Sequence, residues 1–202
     1  DNCQAGVYVG YTSPKGHALL DRRLFLPERW FGPEYAERWK KCRIPEGTTF
    51  KTKPELALEM IQSLRREGFF QARWVTGDDF FGRNPAFRDG LPEDLLYFLD
   101  IPSDTCVWKT RPAIVIPEPS KNGRRARKPR LKKGEPASMP VSDLAGDRCL
   151  HWETVTIAEG AKGPIRAKVA RIRVVESRDA LPGQELWLFI RKSLTDGDVK
   201  YS

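Results

Sequence analysis

Apolar and polar positions alternate along "CQAGVYVGYTS" (residues 3–13), and its Val and Tyr content suits a half-buried strand. "SPKG" then reads as a turn and "HALLDRRLFLP" (17–27) as a second strand, giving a hairpin. The pattern changes at "GPEYAERWKKC" (32–42), a short helix opened by Pro33. Helical spacing is clearest in "TKPELALEMIQSLRREGF" (52–69), where Leu56, Met60, Ile61 and Leu64 form an apolar stripe. Thr52 with Glu55 three residues on makes a capping box, Pro54 suits the first turn, and Gly68 ends the helix. Met60 belongs to that stripe and reads as core filling.

"FQARWVT" (70–76) is a compact apolar strand that runs directly into Asp78 and Asp79. "NPAFRDGL" (84–91) follows as a short helix capped by Asn84, with Pro85 at its start. "LLYFLDIPSD" (95–104) has so few polar positions that it reads as a strand covered on both faces. A hairpin, a helix, a buried strand, a helix and a second buried strand together predict an α/β sheet with helices packed on it.

Periodicity stops after Trp108. "TRPAIVIPEPSKNGRRARKPRLKKGEPASMP" holds six prolines and reads as an extended or disordered arm. Strand patterns then return in "LHWETVTI", "IRAKVARIRVVES", "QELWLFIRKS" and "DVKYS", separated by Gly and Pro turns. In "AKVARIRVV", Lys168, Arg171 and Arg173 stand among apolar residues. The C-terminal part is therefore a small antiparallel β unit, and no internal repeat is visible.

Charge sharpens the picture of the arm. The chain of 202 residues has a net charge of +8, and "KNGRRARKPRLKK" (121–133) holds eight Lys or Arg and no acid. Setting those eight aside leaves 27 basic against 27 acidic residues, so the whole excess sits in one segment. Such a run meets polyanions or a membrane surface in a salt-dependent way, or serves as a solvated linker. Cys3, Cys42, Cys106 and Cys149 form no C-x-x-C pair, and His17 and His151 have no nearby partner, so neither zinc nor a disulfide framework is expected. No apolar run approaches the roughly 20 residues of a membrane span. "DNCQAGVYVGY" and "DGDVKYS" read as cuts inside a longer protein, an expectation of missing residues on both sides.

Asp78 can be read in more than one way. A carboxylate just beyond a strand sits where open α/β sheets place their ligands, and carboxylates suit Mg²⁺. An aspartate at that position also caps helices or makes an Asx turn.

Three ordered blocks bear on the choice: "VGYTSPKGHALLDRRLFLPERW", "IPEGTTFKTKPELALEMI" and "RWVTGDDFFGRNPAFRDGL". Together they closely resemble the catalytic domain of bacterial insertion-sequence transposases of the DDE type, over about residues 1–105, and "ELWLFIRKSLTDGDVKYS" resembles that family too. The resemblance implies an incomplete RNase H-like mixed sheet with helices, followed by a small antiparallel β insertion domain. The expected divisions are 1–108 for the partial catalytic core, 109–145 for the basic, Pro-rich arm and 146–202 for the insertion.

In that family two Asp and one Glu hold two Mg²⁺ ions, with Mn²⁺ as an alternative, and these cut transposon-end DNA and transfer its strands to a target. The family pattern W-V-T-x-D-x-x-[YF]-G maps the second catalytic acid onto Asp78 and gives Asp79 a supporting or capping role. The first Asp is implied upstream of residue 1 (Asp1 is a poor substitute), and the Glu downstream of residue 202. Asp21 falls on a position read as structural. One carboxylate of three implies that this stretch is inactive alone.

Phosphate contacts are expected from Lys121, Arg124, Arg125, Arg127, Lys128, Arg130, Lys132 and Lys133, and from Lys53 before the long helix. Eight of them would give a log K versus log salt slope of about −7. Trp108 and Trp152 flank the arm and could stack on bases, with core packing as the plainer role. The implied partners are transposon-end and target DNA, with self-association on DNA, no membrane, and a bacterial cytoplasmic, nucleoid-associated location. The alternative is a non-catalytic, transposase-derived DNA-binding protein; a third reading is an unrelated Mg²⁺ nuclease or phosphatase.

Overall fold

The computed structural model describes residues 4–69, 71–117, 128–161 and 163–202. It is a mixed α/β structure with several sheets and few helices. The chain divides into two compact units, one made of the residues up to Gly77 with Asn84–Leu99, the other of Asp78–Arg83 and Asp100–Ser202.

The first unit begins with the expected hairpin, β1 (Ala5–Ser13) and β2 (Gly16–Phe25), antiparallel with an irregularity at Val9/Gly10. A short helix, α1 (Ala36–Lys41), follows two 3-10 turns, and Phe31 of the first turn stands edge-on to Trp39 of α1 and to Phe50. The long helix α2 (Lys53–Glu67) packs on the hairpin and is built at its ends as its sequence dictates. Thr52 Oγ1 accepts from Glu55 N–H while Thr52 N–H donates to the Glu55 carboxylate at 2.7 Å. At the other end Gly68 takes a left-handed conformation (φ 74°), which glycine adopts without a Cβ penalty. Met60 and Ala57 are buried, with Val7 of the hairpin also in the core.

β3 (Trp74–Gly77) leads into the single turn α3 (Asp79–Gly82), then α4 (Pro85–Asp89), capped by Asn84 through its Phe87 N–H. β4 (Leu96–Leu99) pairs in parallel with β3, with Trp74 opposite Leu96 and Gly77 opposite Leu99. Here the structure corrects the sequence. Neither strand is covered on both faces: Trp74 is 55% and Leu96 53% exposed, and Phe98 is exposed beside them. Strand geometry sends alternate residues to opposite sides, so these three share one open face while Leu99 is buried on the other. An unbroken apolar run looks the same whether both faces are covered or one is merely apolar.

The second unit is built on one six-stranded sheet. β8 (Met139–Pro140) pairs with β5 (Cys106–Trp108), and β5 with β10 (Gly163–Arg178), which also pairs with β9 (Glu153–Gly160) at one end and with β11 (Leu181–Ser193) along its length; β12 (Val199–Tyr201) lies beyond β11. All pairings in it are antiparallel. The core faces one side, from Ala170, Val174, Leu188, Ile190 and Tyr201, closed by Val141 and Leu144 of α5 (Val141–Leu144) and by Leu150. The arm is thus partly built in. β6 (Ile114–Val115) pairs with β7 (Arg130–Leu131), and the end of the arm supplies core residues, because Val141 and Leu144 have a sheet to pack against. Among the described residues no helix is long and apolar enough to cross a membrane.

Candidate functional site

Asp78 follows β3 directly and is the N-cap of α3. Its backbone is extended (φ −77°, ψ −177°), and Oδ1 accepts the Phe80 N–H at 3.1 Å. The Asp78 carbonyl takes the next amides, Phe81 N–H at 3.2 Å and Gly82 N–H at 3.0 Å. An Asp at this position satisfies amide groups that a short helix leaves orphaned, so the capping role weighed from sequence is real. It leaves the second carboxylate oxygen without a hydrogen bond among the described residues, on an exposed side chain.

Asp79 has a different environment. Its carboxylate pairs with Arg83 Nη2 at 2.8 Å, and Arg83 Nε donates to the Asp79 carbonyl at 3.1 Å. The arginine thus clamps the turn end to end and engages Asp79 in place. Asp21, read as structural, is held within β2 by Arg22 N–H (2.7 Å) and Arg23 Nη1 (2.6 Å).

Sequence reading passed over Asp100. It is the residue after β4, as Asp78 is the residue after β3, and those strands end in register at Leu99 and Gly77. The matching positions after two apolar runs were the signal. Asp100 Oδ1 accepts from Ser202 Oγ at 2.6 Å. Among the described residues no group of three or more His, Cys, Asp or Glu side chains could share a metal ion. A two-metal centre needs more hard oxygen ligands than one carboxylate provides, so the described residues do not themselves hold such a pair of ions.

The basic positions are only partly in view. Lys121, Arg124, Arg125 and Arg127 lie outside the described residues, as does Asp1. Lys128, Arg130, Lys132 and Lys133 are exposed on and beside β7. Lys53 Nζ lies 5.2 Å from the Phe25 ring centroid, at the start of α2. Trp108 is 2% exposed and its Nε1 donates to the Pro136 carbonyl at 2.9 Å, so it is a core residue and no stacking surface. Trp152 is half-buried, with Lys192 Nζ 4.3 Å from its ring centroid.

Fold and site together define a mixed α/β protein with a solvent-facing carboxylate at the end of a parallel strand, where open α/β sheets place ligands. Over residues 1–164 the sequence matches the family described as DDE superfamily endonuclease, and the protein belongs to that family. Its class is accordingly that of the DDE-type transposases and nucleases. Searches of curated proteins and of solved structures found no match.

Proposed function

We propose that this chain forms part of a DNA transposase that cleaves transposon-end DNA and joins it to a target, and that Asp78 is the catalytic carboxylate it contributes. Support comes from family membership together with the placement of Asp78: a carboxylate at the end of a parallel strand, fixed through one oxygen and open through the other. The fold in this reading is an RNase H-like sheet. Mg²⁺ is the cofactor that Asp78 would bind together with the other acids of the catalytic set. Such ions polarise phosphoryl oxygens and generate a nucleophile from water. The part of Asp78 is to present a negatively charged oxygen at a fixed place, and its hydrogen bond to Phe80 N–H holds the side chain in one rotamer.

Lys53 and the basic run from Lys121 to Lys133 would hold DNA by its phosphates, contacts that position without reading sequence. Self-association on DNA and a place at the bacterial nucleoid follow from the same reading.

The test uses a longer protein that contains this chain. Asp78→Asn keeps the cap, since Asn caps as well as Asp, but removes the charge. Metal-dependent cleavage should fall by more than the roughly 10–100-fold that loss of an outer-shell partner costs, with end binding intact. Unchanged cleavage sinks the assignment. A longer wild-type protein that binds ends and never cuts them would instead favour the non-catalytic DNA-binding alternative.

A further inference from the structure

The sheet of the second unit has a core side and an outer side, and the outer side is basic. The ladder sets Arg173 opposite Trp187, Arg171 opposite Phe189, and Arg191 opposite both Val169 and Lys200. Directly paired residues share a face, and so do residues two apart along a strand. Arg171, Arg173, Trp187, Phe189, Arg191 and Lys200 therefore lie together, turned away from the core formed by Ala170, Val174, Leu188 and Ile190. Lys168, grouped with the two arginines when read as sequence, has the opposite parity and belongs to the other face.

Two details separate this face from an ordinary solvated surface. Trp187 is 51% exposed, and the guanidinium carbons of Arg171 and Arg173 stand 5.3 Å and 5.2 Å from its ring centroid. Stacked on the indole, both arginines lose conformational freedom before any ligand arrives. In addition, Arg191 and Lys200 are directly opposed across β11 and β12, an arrangement of like charges that destabilises a ladder and that a bound anion would relieve. Glu185 offsets the cations only in part; it pairs with Arg173 at 3.4 Å and with Arg111 at 3.7 Å.

We propose that this sheet face binds the sugar–phosphate backbone of double-stranded DNA, with Arg171, Arg173, Arg191 and Lys200 on phosphates and Trp187 holding the two arginines of β10 in place. The choice of DNA rests on the function proposed above. A duplex is favoured because Trp187 already carries the two guanidinium groups of β10, and guanidinium groups held in place suit the fixed phosphates of a duplex backbone. Contacts of this kind add affinity uniformly across sequences and weaken steeply with salt.

The experiment measures binding of the full chain to a short duplex of arbitrary sequence, and to the matching single strand, over a series of salt concentrations. The variant carrying Arg171→Gln, Arg173→Gln, Arg191→Gln and Lys200→Gln should make the negative slope of log K against log salt shallower by about 3.6, at −0.9 per phosphate contact, on every duplex tested. The basic run at 121–133 contributes to both proteins, so the difference isolates the sheet face. Trp187→Phe, which keeps a ring, should retain most of the affinity that Trp187→Ala loses. A correctly folded quadruple variant with wild-type slope overturns the proposal. So does a Trp187→Ala protein that loses single-strand binding alone at constant slope, because that result means base stacking. Cleavage by the Asp78→Asn protein and the salt slope of the sheet-face variants are separate readouts, so failure of the catalytic assignment and failure of the binding face are distinguishable.

Discussion

Asp79 and Arg83 close a salt bridge of 2.8 Å across the single turn that follows Asp78, so the two adjacent aspartates are not equivalent. Asp78 keeps one oxygen open to solvent, whereas Asp79 is engaged by an arginine that also binds its carbonyl. In a longer protein, Asp79→Asn should leave cleavage within a few-fold of wild type while Asp78→Asn abolishes it. The stability cost of Asp79→Asn should be small, about 0.3–0.5 kcal/mol for an exposed pair four residues apart. Equal loss of cleavage in both variants would mean that Asp79 also reaches the reacting groups.

The turn between β10 and β11 holds a second local contrast. Arg178 pairs with Leu181, leaving Asp179 and Ala180 as a two-residue loop with φ of 50° and 61°. Such hairpin turns favour Asn-Gly or Asp-Gly, and an alanine there bears a Cβ in a left-handed conformation. Ala180→Gly should therefore stabilise the protein by about 1 kcal/mol, visible as a rise of roughly 2–4 °C in thermal midpoint. A fall in midpoint would show that the loop relaxes out of this conformation.

At α2, the reciprocal bonds of Thr52 and Glu55 make the helix start sensitive to one hydroxyl. Thr52→Ala should cost about 1 kcal/mol in chemical denaturation, without change in the denaturant slope. Thr52→Ser keeps the hydroxyl and should stay close to wild type.

Stability should fall at both ends of the pH scale. The amide and hydroxyl of Thr52 hold the Glu55 carboxyl below its usual range, Arg65 does the same for Asp94, and Lys109 for Asp147. Carboxyls depressed on folding add stability above their unfolded values, about 3.9–4.3, and lose it as pH drops through their lower folded values. The hydrogen bond to Asp147 raises Lys109, and burial followed by the charge of Asp143 raises Tyr201. Groups raised on folding stabilise below their unfolded values, about 10 for both, and lose that as pH rises through the folded ones. Thermal midpoints measured against pH should therefore decline below about 4 and above about 10. Asp147→Asn should flatten both limbs; an unchanged profile would exclude the Lys109–Asp147 pair as a contributor.

The sequence by itself determined whatever depends on near neighbours. The hairpin at 5–25, the capping box at Thr52, the stop at Gly68, the Asn84 cap and the four C-terminal strands follow from turn chemistry and residue period, which act within a few positions. The capping position of Asp78 after its strand was legible too, because its surrounding pattern is local. Tertiary structure decided which faces are covered. Trp74, Leu96 and Phe98 lie open, while Val141 and Leu144, from a stretch read as an arm, became core. Burial depends on what lies across from a residue, and period alone carries no record of that. Register acted in the same way on Arg171, Arg173, Trp187, Arg191 and Lys200. Three strands had to pair at fixed offsets before these residues became one surface, since a shift of one position would turn each strand's side chains to the opposite face.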